Sequence, residues 1–444
     1  MIKDHEWSRF EHYANNVRSI VHNGGHSSTE VCSSALEMLS HYYPRQNFFP
    51  KLASLQFNVD GVNSDVMDIA LFISPTLSDL KINLKQTQDL DRAIHSICDN
   101  GINALIHLHI NIEEPSYPSN IVSRLFICHP LLRHIVFRFT TSLQLLEHMS
   151  HIESATVNVS LNHTDPKWIF SRSQERIPLS NMKTFQVDGP PQTLLFLLQN
   201  TKCYKISHLK LKIKSPAMPL TDSNEISALL GALLQFSSSS LTSLTIRTWR
   251  SLKSQQDVPS QSENYILSNT VLLPLISTFS ALCNLKLDFG MPIDLTDQDI
   301  LFLCTSLPRI SSFRICCSPA YLPLHFVPRM TLESLGYCAT HCPNLEALEL
   351  LIDPTQAYSN LPTTSSSPLK FLDIGQSQTS AEANIRAWTH VAPTLLLLFP
   401  SLMDLYITSL EFSETGADNA MFWSKVAGCL LDARPNLRVA CHRG

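Results

Sequence analysis

Residues 338–352 read CATHCPNLEALELLI, and the first five, Cys338-Ala-Thr-His341-Cys342, set two thiols and an imidazole close enough for one metal ion. A structural zinc site needs four ligands, and this cluster offers three at most, with Pro343 taking Cys342 out of a regular helical turn beside Cys338. A second reading appears when the stretch is laid beside FPSLMDLYI at Phe399 and LPRISSFRI at Leu307. Cys342 then falls where those segments carry Phe399 and Leu307, and Leu345, Leu348 and Leu350 match Leu402, Leu405 and Ile407. On this alignment Cys342 is an apolar core position, which a free cysteine fills as a small hydrophobe.

The frame apolar-x-x-apolar-x-apolar recurs along the chain. Its first apolar positions are Val17, Leu52, Leu77, Leu105, Leu132, Ile152, Met182, Ile206, Leu241, Leu282, Ile310, Leu345, Leu369, Leu402 and Leu437, spaced by 30 residues on average. Seven of these anchors have a proline two residues earlier, as at Pro343 before Leu345, where the missing N–H closes the incoming helix. Between anchors, LTDQDILFLCTSLP from Leu295 and TLESLGYCATHCP from Thr331 read as amphipathic helices, the first with Thr296 or Asp297 to cap its start.

Strand alternating with helix at this period predicts an α/β fold: a right-handed leucine-rich-repeat solenoid (horseshoe) of about 14 to 15 irregular repeats. Parallel strands would line the concave side and helices the convex side. The expected organisation is one solenoid domain over 1–444, with 1–16 as the first repeat's helix and polar loops at 251–266 and 353–368.

A formal charge of −5 supplies no general basic field for nucleic acid, and no apolar run is long enough to span a bilayer. The expected location is therefore intracellular, cytoplasmic or nuclear. Twelve cysteines without paired spacing agree with reduced thiols. No nucleophile elbow, phosphate loop, zinc-protease pair or dinucleotide turn occurs, and 12 glycines leave few loops to cradle phosphate. The chain is expected to be no enzyme, and to need no cofactor and no metal.

The phrase LTDQDILFLCTSLPRISSFRI followed by TLESLGYCATHCPNLEALEL resembles the cysteine-containing, ribonuclease-inhibitor-like repeats of F-box proteins of fungal type. That resemblance implies a substrate-recognition role in a ubiquitin ligase, with the repeats holding the protein to be modified. In such proteins an F-box of about 45 residues docks on the ligase adaptor. Only 16 residues precede the first anchor, and WSRFEHYANNV carries Trp7, Phe10, Ala14 and Val17 at helical spacing, so no F-box is visible. An adaptor contact is expected only if an F-box is supplied elsewhere.

Strand alternation puts the intervening positions on the inner wall. From Ile206 to Ile310 these are Lys210, Lys212, Arg247, Lys286 and Arg314 against one acid, Asp288; from Leu345 onward they are Glu349, Asp373 and Asp404, with Phe371 and Tyr406 beside them. A basic centre followed by an acidic, aromatic third suits a protein partner of complementary charge on the concave face. Solvation of a polar sheet face is the plainer explanation, and a leucine-rich-repeat regulator or nucleic-acid-associated factor using the basic centre of the concave face, with no ubiquitin role, is the alternative. His107, His109 and His134 read either as polar strand positions or as part of a metal or pH-sensitive site.

Overall fold

The turn that opens each repeat sets the architecture. In Cys342-Pro-Asn-Leu345 the Leu345 N–H donates to the Cys342 carbonyl at 3.1 Å, with Pro343 where its fixed φ favours the bend. The same closure recurs at Leu52, Leu132, Leu282, Ile310, Leu402 and Leu437. It draws in both the anchor and the residue three before it, and releases the chain into a strand.

In this computed structural model the described residues are 4–23, 48–58, 69–84, 87–99, 101–112, 122–141, 143–159, 176–214, 223–236, 240–249, 266–289, 292–316, 326–356, 365–374, 388–409 and 414–443. Most of the expected polar loop at 251–266 and residues 357–364 of the loop at 353–368 lie outside them. The chain forms two compact units, Met1–Gly189 with Asn200–Lys205, and Pro190–Gln199 with Ile206–Gly444.

The first unit carries strands β1 (Ser19–Asn23), β2 (Ser54–Asn58), β3 (Asp79–Leu84), β4 (His107–Ile112), β5 (His134–Thr141), β6 (Ser154–Val159) and β7 (Thr184–Gly189). The second carries β8 (His208–Lys214), β9 (Ser243–Trp249), β10 (Asn284–Asp288), β11 (Ser312–Cys316), β12 (Ala347–Glu349), β13 (Phe371–Asp373), β14 (Asp404–Ser409) and β15 (Arg438–Arg443). Within each unit the strands pair in parallel and in chain order. Every anchor is answered by a strand, and fourteen of the fifteen strands begin two residues after their anchor. This is the leucine-rich-repeat α/β solenoid that the periodicity predicts.

One backbone relay joins consecutive repeats. The carbonyl just after an anchor accepts two N–H groups from the next repeat: Cys283 from Ser311 and Ser312, Ser311 from Glu346 and Ala347, Glu346 from Lys370 and Phe371, Lys370 from Met403 and Asp404. Parallel pairing therefore starts at the same row in each repeat, which stacks the apolar positions in register. Leu285, Phe313, Leu348, Leu372 and Leu405 form one buried row and Leu287, Ile315, Leu350, Ile374 and Ile407 the next. Each such side chain contributes about 1.5–3 kcal/mol by leaving water.

Helices cover these rows. Helix α1 (Asp4–Ala14) sets the Trp7 and Phe10 rings 5.0 Å apart, with Trp7 meeting Phe48 at 6.2 Å. In the second unit α2 (Ser223–Phe236), α3 (Asn269–Thr278), α4 (Asp297–Ser306), α5 (Leu332–His341), α6 (Trp388–Leu398) and α7 (Glu414–Ala433) follow. Thr296 caps α4 in a reciprocal box with Asp299, and Thr331 caps α5.

Polar groups also tie the helix starts of neighbouring repeats together. Asn269 donates to both Asp299 oxygens at 3.1 Å. Asp297 accepts from the Thr331 amide at 2.8 Å, the Thr331 hydroxyl at 2.9 Å, the Ser334 amide at 3.1 Å and the Ser334 hydroxyl. Among the described residues no helix is long and apolar enough to cross a membrane.

Candidate functional site

Cys342 is fully buried, as is Cys338, while His341 is half-buried beside Tyr337 at the end of α5. The neighbour that the sequence does not suggest is Cys304 on α4, whose Sγ lies 3.6 Å from the Cys338 Sγ. Hydrogen bonding to Cys304 and burial both push the Cys342 thiol up, and Cys304 is raised by its bond to Cys338 and by burial. Cys304 and Cys342 share an apolar lining with Leu303, Leu307, Ile310 and Phe313, the setting in which a thiol packs as a small hydrophobe. Among the described residues no three His, Cys, Asp or Glu side chains are arranged to hold a metal ion.

The residue three before the anchor is apolar in ten repeats and polar in five, among them Ser74, His129 and Arg434. Each of these three reaches a carbonyl of the preceding repeat: Ser74 Oγ donates to Pro50 at 3.0 Å, His129 Nδ1 to Ile102 at 2.8 Å, and Arg434 to Phe399 at 3.3 Å. The carbonyl partner fixes the proton of His129 on Nδ1, which leaves Nε2 buried without a hydrogen-bond partner.

His107 and His134 are register partners on β4 and β5, and their rings stack at 4.5 Å with 7° between planes. Burial first, then the neighbouring His107, lowers the His134 pKa; burial, Arg138 and Lys81 lower that of His109. The three histidines share the solvent-facing side of the first unit's sheet.

The second unit's sheet carries the charged face in three columns. The central column runs Lys210, Thr245, Lys286, Arg314, Glu349, Asp373, Tyr406, one residue per strand. On one side Lys212 pairs in register with Arg247 and Arg247 with Asp288. The Arg247 guanidinium stands 3.5 Å from the Asp288 carboxylate. Burial raises the Asp288 pKa despite the opposing pull of Arg247 and Lys286. On the other side the column reads His208, Ser243, Asn284, Ser312, Ala347, Phe371, Asp404, Arg438.

The ten residues singled out from the sequence therefore occupy one face, but in distinct columns. The contacts cut across them diagonally. Phe371 and Tyr406 meet at 4.8 Å between centroids, tilted by 31°. The Arg314 guanidinium reaches across the β12 strand, past the short Ala347 side chain, to lie 4.8 Å from the Phe371 centroid. The result is a three-member stack, Arg314–Phe371–Tyr406, half-buried and held by cation–π and aromatic contacts.

Asp404 is engaged by Arg438, at 2.7 Å to Nε and 2.9 Å to an Nη. The sequence frame passes over Arg438 because the last repeat is one residue short: its apolar positions read Leu437, Val439 and Cys441, where Leu345 is followed by Leu348 and Leu350. The deletion brings the residue after the anchor into register with Asp404. The spacing itself holds that signal.

No protein-family model matches the chain, and no curated protein matches it in sequence. Among solved structures, an internalin from Listeria monocytogenes is similar at a TM-score of 0.35 and 11% identity, over 77% of this chain and 82% of that one.

Proposed function

We propose that this chain is a non-catalytic protein-interaction scaffold that holds a protein partner on the solvent-facing side of its second unit's sheet. The binding residues in this reading are Lys210, Lys212, Arg247, Lys286, Arg314, Glu349, Phe371, Asp373, Asp404 and Tyr406. The observation that carries it is the Arg314–Phe371–Tyr406 stack on a face whose charge changes sign at Glu349. Aromatic and arginine side chains already packed on a rigid sheet lose little freedom on binding, which is what interface anchors require.

The nucleic-acid alternative is weaker on the same geometry. Arg247 is engaged by Asp288, Arg314 lies over Phe371, and a phosphate chain continuing past Arg314 would meet Glu349 and Asp373. The ubiquitin-ligase role rests on the resemblance of nearly the whole chain, from about Trp7 onward, to F-box receptor repeats, and adds the requirement of an F-box to reach the adaptor.

Selection of a displayed peptide library on the purified chain tests the scaffold reading. Binders should lose at least ten-fold in affinity on Phe371→Ala with Tyr406→Ala, equivalent to about 1.4 kcal/mol. Binders that keep full affinity for this double variant would overturn the assignment of the face.

A further inference from the structure

Resting on that reading, we infer that the partner is an extended protein segment of two charge blocks, acidic where it crosses β8 to β11 and basic with apolar side chains where it crosses β12 to β14.

The order of the central column carries this. Lys210, Lys286 and Arg314 stand on the first four strands, and Glu349, Asp373 and Tyr406 on the next three, with no interleaving of sign. Beside this column Arg247 is matched by Asp288 and Asp404 by Arg438, so the sign order is set by the central column, with Phe371 adding an apolar ring at its acidic end. Lys286 and Arg314 are register neighbours of like sign, as are Glu349 and Asp373. A segment of matching block order meets opposite charge along both halves.

The floor beside this column fits an extended chain. Ser243, Asn284 and Ser312 are short side chains in successive register; Arg314 then crosses the row beside Ala347 to reach Phe371, and the row continues to Asp404 and Arg438. Seven strands spaced by about 4.8 Å span about 29 Å from β8 to β14, which an extended chain rising about 3.3 Å per residue covers with about nine residues. A segment lying in the row would place its acids against Lys286 and Arg314, and an apolar side chain against Phe371 and Tyr406. A uniformly anionic strand matches only the first half.

Fluorescence anisotropy with three labelled probes decides the matter. The first is a block peptide of sequence EEEEGSFKFK, the second a peptide of the same composition with its charges alternated, and the third oligouridylate. The block peptide should bind at least ten-fold more tightly than the alternated one in 50 mM salt. It should weaken steeply by 300 mM, and lose at least ten-fold in either of two double variants, Lys286→Glu with Arg314→Glu or Lys210→Glu with Lys286→Glu. Circular dichroism melts of these variants confirm that they fold.

Equal binding of both peptides, lost in the Phe371→Ala, Tyr406→Ala variant, would overturn the charge-block inference and leave the scaffold reading standing. Oligouridylate binding more tightly than either peptide would overturn both. Absence of binding to every probe at 50 mM salt would overturn the inference alone, since the displayed-library selection judges the scaffold separately.

Discussion

Replacing Asp297 by alanine removes the clamp between two consecutive helices of the second unit. Its carboxylate accepts the Thr331 and Ser334 amides at 2.8 and 3.1 Å, and also their two hydroxyls. Thr331 is 5% exposed and Ser334 fully buried, so their amides gain little from water when the acceptor is gone. An orphaned buried donor costs about 1–3 kcal/mol, and hydrogen bonds to a charged acceptor exceed neutral ones. The Ser334 amide keeps a bond to the Thr331 carbonyl at 3.2 Å, so one orphaned amide, with the lost charged acceptor of two hydroxyls, puts the cost of Asp297→Ala at about 2–4 kcal/mol. Asp297→Asn keeps a carbonyl oxygen for both amides and should cost about 1–2 kcal/mol.

Urea unfolding measures the total, and hydrogen exchange at Thr331 and Ser334 locates it. Because α5 leads through the Cys342 turn into β12, the loss should spread to the strand that carries Glu349. A cost under about 1 kcal/mol, with unchanged exchange at both amides, would refute the clamp as a support of the site.

Acid should loosen the first unit before the second. His22, His109, His129, His134 and His151 all have pKa values lowered by burial, and all lie in the first unit. A histidine lowered in the folded state is protonated first in the unfolded one, so stability falls as pH drops through about 6.5 towards the folded values. Exchange between pH 7.5 and 5.5 should speed up at β4 to β6 more than at β10 to β14; the reverse order would contradict this. Cys342→Ser should cost about 1–3 kcal/mol by burying a hydroxyl, and chelators should leave the melting temperature unchanged. A chelator-induced drop of several degrees would restore the metal reading. Arg438→Ala removes a partly exposed ion pair and should cost no more than about 1 kcal/mol in thermal melts.

The apolar frame and its prolines are local signals. They suffice to locate the fifteen strands β1 to β15, because a turn closed at the anchor and a side-chain period of two are dictated within about nine residues. The same period puts Lys210, Lys286, Arg314, Glu349, Phe371 and Tyr406 on the solvent side, where the structure has them. It does not say which of them meet.

The intervals between anchors vary from 20 to 41 residues, so sequence distance says nothing about the neighbour across a strand. That neighbour is chosen by the backbone relay, whose hydrogen bonds align repeats irrespective of the length between them. The pairing of Asp404 with Arg438, the reach of Arg314 to Phe371 and the approach of Cys304 to Cys338 all follow from this alignment. The amino-acid sequence by itself determined the repeat, its strands and which side chains face water or core. Only the tertiary structure decided which of those side chains touch, because parallel pairing brings together residues that the chain keeps about 30 positions apart.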